Sequence, residues 1–349
     1  MRILTGDEVR AAVTMREAIE AVREGFVALS TGRARVPVRS AVQMAGGPLL
    51  TMPSHADGMP VAAVKVVSVC PANPAAGLPT IHAVVLAVDA QTGAPVGLMD
   101  GAALTAQRTG AASGLATDLL ARPEASVLAV IGAGAQARTQ IAAVCEVRPI
   151  AEIRLFSLSG ADQLAKELRE RYDAEVRVLP SSSEAVRGAH VVVTATTSHT
   201  PVVHLADLAP GAHINGIGSF TPEMQEIAAD VVQAATVVVD HRASAWAEAG
   251  DLIIPRDQGL ITEAKVYAEI GEIAAGLKPG RQSPEEITFF KSVGNAVQDL
   301  ALAERVLRAA EARGEADARG GAVRAGGGGG QGGGQARGLR GRAGGGLGD

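Results

Sequence analysis

"SVLAVIGAGAQARTQIAAV", residues 126–144, packs a strand, a turn and a helix into one short segment. Val127 to Ile131 form an unbroken apolar run bounded by a glycine turn, as a buried strand requires. Gly132, Gly134 and Ala137 then follow in GxGxxA spacing and open a helix. In that spacing the first glycine permits the tight turn, and the second lets backbone approach a pyrophosphate at the helix N-terminus. The small third residue allows close helix–sheet packing. A second strand, "AEIRLFS" at 151–157, completes the fingerprint about two dozen residues on. The segment predicts a nucleotide site.

Outward from it the alternation continues. "ADQLAKELRERY" (161–172) reads as a helix, and "HVVVTATT" (190–197), "AHINGIG" (212–218) and "ATVVVD" (235–240) read as strands. Such alternation predicts an α/β fold, a doubly wound parallel sheet covered on both faces. Upstream, residues 15–31 place Ile19, Val22, Phe26 and Leu29 on one helical face. Strand-like runs follow at 49–54, 61–69 and 81–89, so a smaller α+β unit is expected up to about residue 100. An Ala-rich helix over about 102–121 joins the two. Near the end, "SPEEITFFKSVGNAVQDLALAERVLRAAEARG" (283–314) reads as a strand, a glycine turn and a long amphipathic helix. Beyond Arg319 the chain turns to Gly, Arg, Ala and Gln, a composition expected to stay disordered.

The 349 residues carry a net charge of −5, with 47% apolar and 2% aromatic residues. The length suits two domains, and the charge leaves no basic footprint for nucleic acid. Cys70 and Cys145 stand apart without metal-ligand or CxxC spacing, which favours a reducing compartment. Seven histidines lack ligand spacing, so no metal is expected, and no nucleophile motif appears. No secretory signal precedes Thr5, and no apolar run reaches the roughly 20 residues of a membrane helix. The expectation is a cytoplasmic protein with no membrane partner.

A site preferring NAD usually ends its second strand on Asp or Glu, which bonds the ribose 2′-hydroxyl. Here Ser157 and Ser159 stand there. Serine hydroxyls donate to a 2′-phosphate that a carboxylate would repel, so NADPH is favoured as cofactor and NADH admitted. Three cations complete the candidate site. Lys65 lies inside "VAAVKVVSV", either snorkelling from an edge strand or buried and in need of an anion. Arg39 sits in "VPVRSAV", and Arg108 in "TAQRTGAASG" among small residues that suit close ligand approach or helix packing equally. Two guanidinium groups fit a carboxylate, and a lysine can protonate a carbon–nitrogen group beside it.

Four stretches together carry a resemblance: "KVVSVCPANPAAGLPT" (65–80), "DAQTGAPVGLMDGAALTAQRTGAAS" (89–113), "VIGAGAQARTQ" (130–140) and "FFKSVGNAVQDL" (289–300). From about residue 2 to 313 the chain resembles the ornithine cyclodeaminase and mu-crystallin family. The resemblance implies a Rossmann domain at 116–295 and a substrate-binding and dimerisation domain at 1–115 plus 296–315, with 316–349 as the tail. It implies a homodimer, and substrate roles for Arg39, Lys65 and Arg108. Cofactor contacts are implied for Thr80, Arg108, Ala135, Gln136, Ser157, Thr196, Gly218, Ser219 and Val293, beside Gly132 and Gly134. Ornithine cyclodeaminases of the family carry an aspartate for the substrate's distal amine where "GSFTPEM" (218–224) has Phe220. A phenyl ring cannot serve that amine, whereas reduction of a cyclic imine carboxylate needs only hydride and one proton. The expected activity is therefore reduction of 1-pyrroline-2-carboxylate to proline, and of its six-membered homologue to pipecolate. Its rivals are ornithine cyclodeamination, alanine dehydrogenation and NADPH-dependent binding of a small ligand without turnover.

Overall fold

The computed structural model describes residues 1–314, so the whole of the expected tail, 316–349, lies outside the described residues. The first seven strands are β1 (Arg2–Leu4), β2 (Ala34–Arg35), β3 (Ser40–Met44), β4 (Gly47–Ala56), β5 (Val61–Val69), β6 (Ile81–Asp89) and β7 (Pro95–Asp100). They form one sheet in the order β1-β7-β6-β5-β4-β2, with β3 also on β4; only β1 and β7 run parallel. Helices α1 (Gly6–Ala12) and α2 (Met15–Ser30) each begin with a capping box, Thr5 with Glu8 and Thr14 with Glu17. Each box satisfies two N–H groups that a helix start leaves open. Along β5 alternate side chains, Val61, Ala63, Lys65 and Val67, turn into the core. Lys65 is thus in an interior strand facing inward, not at an edge.

Helix α3 (Gly101–Leu120) leads into the second sheet. Its strands are β8 (Val127–Ile131), β9 (Glu152–Phe156), β10 (Glu175–Val178), β11 (Val191–Thr194), β12 (His213–Gly216), β13 (Thr236–Val239), β14 (Val266–Glu269) and β15 (Thr288–Lys291). All pairs are parallel in the order β10-β9-β8-β11-β12-β15-β13-β14. The chain winds outward from β8 in both directions, so the strand order reverses between β8 and β11. A crevice at the carboxyl ends of the strands there is the expected place for a ligand. The intervening helices are α4 (Ala135–Val147), α5 (Ala161–Arg171), α6 (Ser182–Val186), α7 (Ala229–Ala234), α8 (Arg242–Glu248), α9 (Gly250–Asp257) and α10 (Ile270–Ala274). Leu128, Ile141, Leu155 and Leu164 fill one face, Ile131, Val192, Ile214 and Phe289 the other.

The last helix, α11 (Ala296–Ala312), returns to the first sheet, and residues 296–304 are all buried. The sequence reads as amphipathic; its first half is instead enclosed, because it packs between the first sheet and helices α2 and α3. Phe26, Leu104, Leu115 and Leu300 pack there with Val238 and Phe290 of the second sheet. Burying one such side chain stabilises by about 1.5–3 kcal/mol. The small residues of α3 serve helix packing. A Cβ on Gly110 would meet the Thr139 carbonyl of α4, and one on Gly114 would meet Ile19 of α2. After Phe220 the chain turns at Pro222 and Glu223, and the next helix, α7, starts at Ala229.

Candidate active site

The fingerprint turn has the form its residue types demand. Gly132 has φ 110°, and a Cβ there would lie 2.5 Å from the Ala195 carbonyl oxygen. Only glycine takes both constraints cheaply. Gly134 is the N-cap of α4, with no side-chain cap, and a Cβ on it would meet nothing within 4 Å. An uncapped helix start facing open space is what a pyrophosphate needs, so these residues fit a dinucleotide. Ala135 and Gln136 form the first turn of α4, and Ser157 follows β9 half-buried. Thr196 and the Gly218–Ser219 turn follow the adjacent strands β11 and β12. Val293 lies beyond β15, and Thr80 just before β6. Ser219 is committed inward, its hydroxyl donating to the Met224 carbonyl at 2.7 Å.

The three cations come from three elements and are all partnered. Lys65 is 3% exposed, and its Nζ lies 2.8 Å from Asp299 Oδ2. Arg108, on α3, donates from Nε to Asp299 Oδ1 at 3.1 Å and from its terminal nitrogen to Gln298 Oε1. Asp299 is 1% exposed in the first turns of α11, so one carboxylate bridges two buried cations. Arg39, in the loop before β3, pairs with Glu248 at the end of α8, its Nε 2.6 Å from Oε1. Burial, then repulsion from Arg108, lowers the Arg39 guanidinium from its usual value. Burial likewise pushes Lys65 down to about 8; Asp299 opposes this, while Arg108 and Arg39 add to it. An ammonium at that value gives up and regains a proton near neutrality.

A cavity of about 50 Å³ lies beside Arg39, lined also by Met52, Ala243, Glu248, Gly294 and Asn295. Gly294 has φ 88°, and a Cβ there would press on the Arg108 guanidinium. The loop that carries it is held by Asp240, which accepts from Ser292 Oγ and from the Val293 and Gly294 N–H groups. Phe220, 36% exposed, stands at the end of the β12 turn, and Glu223 is exposed beside it. Sequence reading missed Asp299, Gln298, Glu248 and Asp240. The local sequence offered only a weak signal for Asp299, an acid in an otherwise apolar stretch, which does not name its partner. Among the described residues, no cluster of His, Cys, Asp and Glu could hold a metal, and no helix is long and apolar enough to cross a membrane.

The Δ1-pyrroline-2-carboxylate reductase of Bacillus cereus is 38% identical over 319 residues, covering 90% of this chain and 98% of its own. The structure of Thermococcus litoralis Δ1-pyrroline-2-carboxylate reductase in complex with NADH and L-proline superposes with a TM-score of 0.87 at 39% identity, covering 90% and 98%. An archaeal alanine dehydrogenase dimer with bound NAD follows at 0.85 and 37%, covering 90% and 97%. Residues 1–314 match the Ornithine cyclodeaminase/mu-crystallin family as a whole. On fold, fingerprint and relatives alike, the chain belongs to that family.

Proposed function

We propose that the protein is an NAD(P)H-dependent reductase of cyclic imine carboxylates, taking 1-pyrroline-2-carboxylate to L-proline and 1-piperideine-2-carboxylate to L-pipecolate. The observation that carries the reading is a buried lysine, poised near neutrality, beside two arginines. The pyrroline-2-carboxylate reductases among its relatives support it. When bound, the pyridine nucleotide supplies hydride for the imine carbon. Arg39 and Arg108 hold the carboxylate, and Arg39 exchanges Glu248 for it on substrate entry. Lys65 carries the proton at Nζ and delivers it to the imine nitrogen. Asp299 holds Lys65 and Arg108 in register. Residues 1–115 with the final helix act as the substrate and dimerisation unit, and 116–295 as the nucleotide unit. A homodimer is supported by the alanine dehydrogenase dimer. Half-exposed apolar rows on the sheet face away from the core, Leu98–Leu86–Val64 and Val84–Val66, support it too.

The test is oxidation of NADPH and NADH with a panel of both cyclic imines and pyruvate plus ammonia, beside ammonia release from L-ornithine. Brisk imine reduction with little ornithine deamination is expected, because Phe220 offers the distal amine no anchor. Ornithine turnover comparable to imine reduction would overturn the reading, and pyruvate as the best substrate would replace it with alanine dehydrogenase. Ser157 supports NADPH binding at least as well as NADH. Ser157→Asp should weaken NADPH about tenfold more than NADH, by repulsion of the 2′-phosphate. Fluorescence titration of both nucleotides checks this, and a clear preference of the unmodified protein for NADH would refute it.

A further inference from the structure

Behind the two turns that follow β11 and β12 lies a carboxylate that the chemistry above does not use. Glu226 is fully buried, and its two oxygens accept five hydrogen bonds. Oε2 takes Thr194 Oγ1 at 3.0 Å, Gly218 N at 2.7 Å and Ser219 N at 3.1 Å. Oε1 takes Thr196 N at 2.7 Å and Thr196 Oγ1 at 2.8 Å. β11 and β12 are parallel neighbours, with Thr194 opposite Gly216, so one side chain ties their carboxyl ends together. A Cβ on Gly218 would collide with the Thr196 carbonyl and with the Glu226 carboxylate. The backbone of Glu226 is fixed in turn, because its N–H and that of Ile227 donate to Asp251 Oδ1 at 2.7 and 2.9 Å. Asp251 Oδ2 pairs with Lys291 Nζ at 2.8 Å, at the end of β15.

Burial, and after it repulsion from Asp251, push the Glu226 carboxyl up from its ordinary value, while Lys291 and the Thr196 donors pull it back. Three backbone N–H groups, which can only donate, and two hydroxyls converge on the two oxygens, an arrangement that favours the ionised form, which has no hydrogen to offer. A buried ion seldom adds net stability over an apolar residue of the same size, so its presence asks for another reason. Its donors supply one. They belong to the turns proposed to meet the cofactor, and they flank Gly132 through Ala195. Satisfied from within, these turns hold their shape before any ligand arrives.

Resting on the dinucleotide reading above, we propose that Glu226 is a positioning residue for the nicotinamide end of the cofactor. It sets the Thr196 and Gly218–Ser219 turns as a preformed wall for the ring. The adenosine and pyrophosphate half, on Gly134 and Ser157, makes none of these bonds. The test uses Glu226→Gln, equal in shape but uncharged, with NADH and ADP-ribose as probes in titration calorimetry. ADP-ribose keeps the pyrophosphate and both riboses and lacks the nicotinamide. The variant should bind NADH about tenfold or more weakly, since charge-assisted bonds are lost, and ADP-ribose within about twofold of the parent. Equal losses for both probes would assign Glu226 a general structural role and overturn the proposal, as would no loss for either. Should Glu226→Gln fail to fold, Thr194→Val removes one donor without touching the cofactor wall. It should show the same selective loss, smaller in size, and equal binding of both probes would overturn the proposal. If the unmodified chain binds neither probe, NADPH and 2′-phospho-ADP-ribose take their place; if it binds none of the four, the dinucleotide reading falls first, and this inference with it.

Discussion

Lys65→Met should lower turnover with 1-pyrroline-2-carboxylate about a hundredfold or more, roughly 3 kcal/mol of transition-state stabilisation. Methionine keeps most of the volume, and Arg108 still compensates Asp299, so the fold should survive and circular dichroism should be unchanged. What is lost is the proton at Nζ, held in a desolvated site where its charge counts most. Lys65 sits near 8, so kcat/KM for imine reduction should fall as pH rises through about 8. Proline oxidation, which needs a free amine there, should rise over the same window. Stability moves the other way. The unfolded lysine keeps its proton up to its ordinary 10.5, while the folded one releases it near 8. Between those values the unfolded chain binds more protons, so this group's contribution to stability grows as pH climbs and is smallest below 8. A Lys65→Met variant with near-normal turnover, or an unmodified enzyme whose imine reduction is flat through this range, would remove Lys65 from the chemistry.

Asp299→Ala should be the most destabilising single change in the site. It leaves the Lys65 ammonium and the Arg108 guanidinium buried beside each other without their shared anion. Breaking a buried pair in this way costs about 3–5 kcal/mol, a large part of the stability of most domains. Denaturant titration should show the midpoint falling at unchanged slope. Asp299 is also the group that opposes the depression of Lys65, so the alkaline limb of the activity that remains should shift below 8. A double-variant cycle gives the sharper reading. Lys65→Met combined with Asp299→Asn should be less destabilised than the sum of the two single changes, because both changes remove the same Lys65–Asp299 contact, which the sum counts twice. Strict additivity would mean that the two side chains do not interact, whatever their separation.

The alternation of short apolar runs with helical segments was enough to call a parallel doubly wound sheet. GxGxxA spacing placed a strand–turn–helix junction at Gly132–Ala137, because period and glycine placement are local properties written residue by residue. The three cations were legible too, since charge inside an apolar run is conspicuous. Whether Lys65 was an edge residue or a buried one was not legible, because a strand's place in a sheet depends on which strands pair with it. β5 lies between β4 and β6 and faces α11, and that burial sets the Lys65 proton near 8. The partner anions were hidden for the same reason. Asp299 lies 191 positions from Arg108 and reads alone as an ordinary first-turn acid. Glu226 reads alone as a turn residue, less conspicuous than exposed Glu223 three positions before it. Secondary structure follows from neighbours along the chain, so sequence alone determined the fold class and the glycine turn between β8 and α4. Burial and charge pairing follow from neighbours in space, so only the tertiary structure decided which acids hold the cations and which one holds the turns.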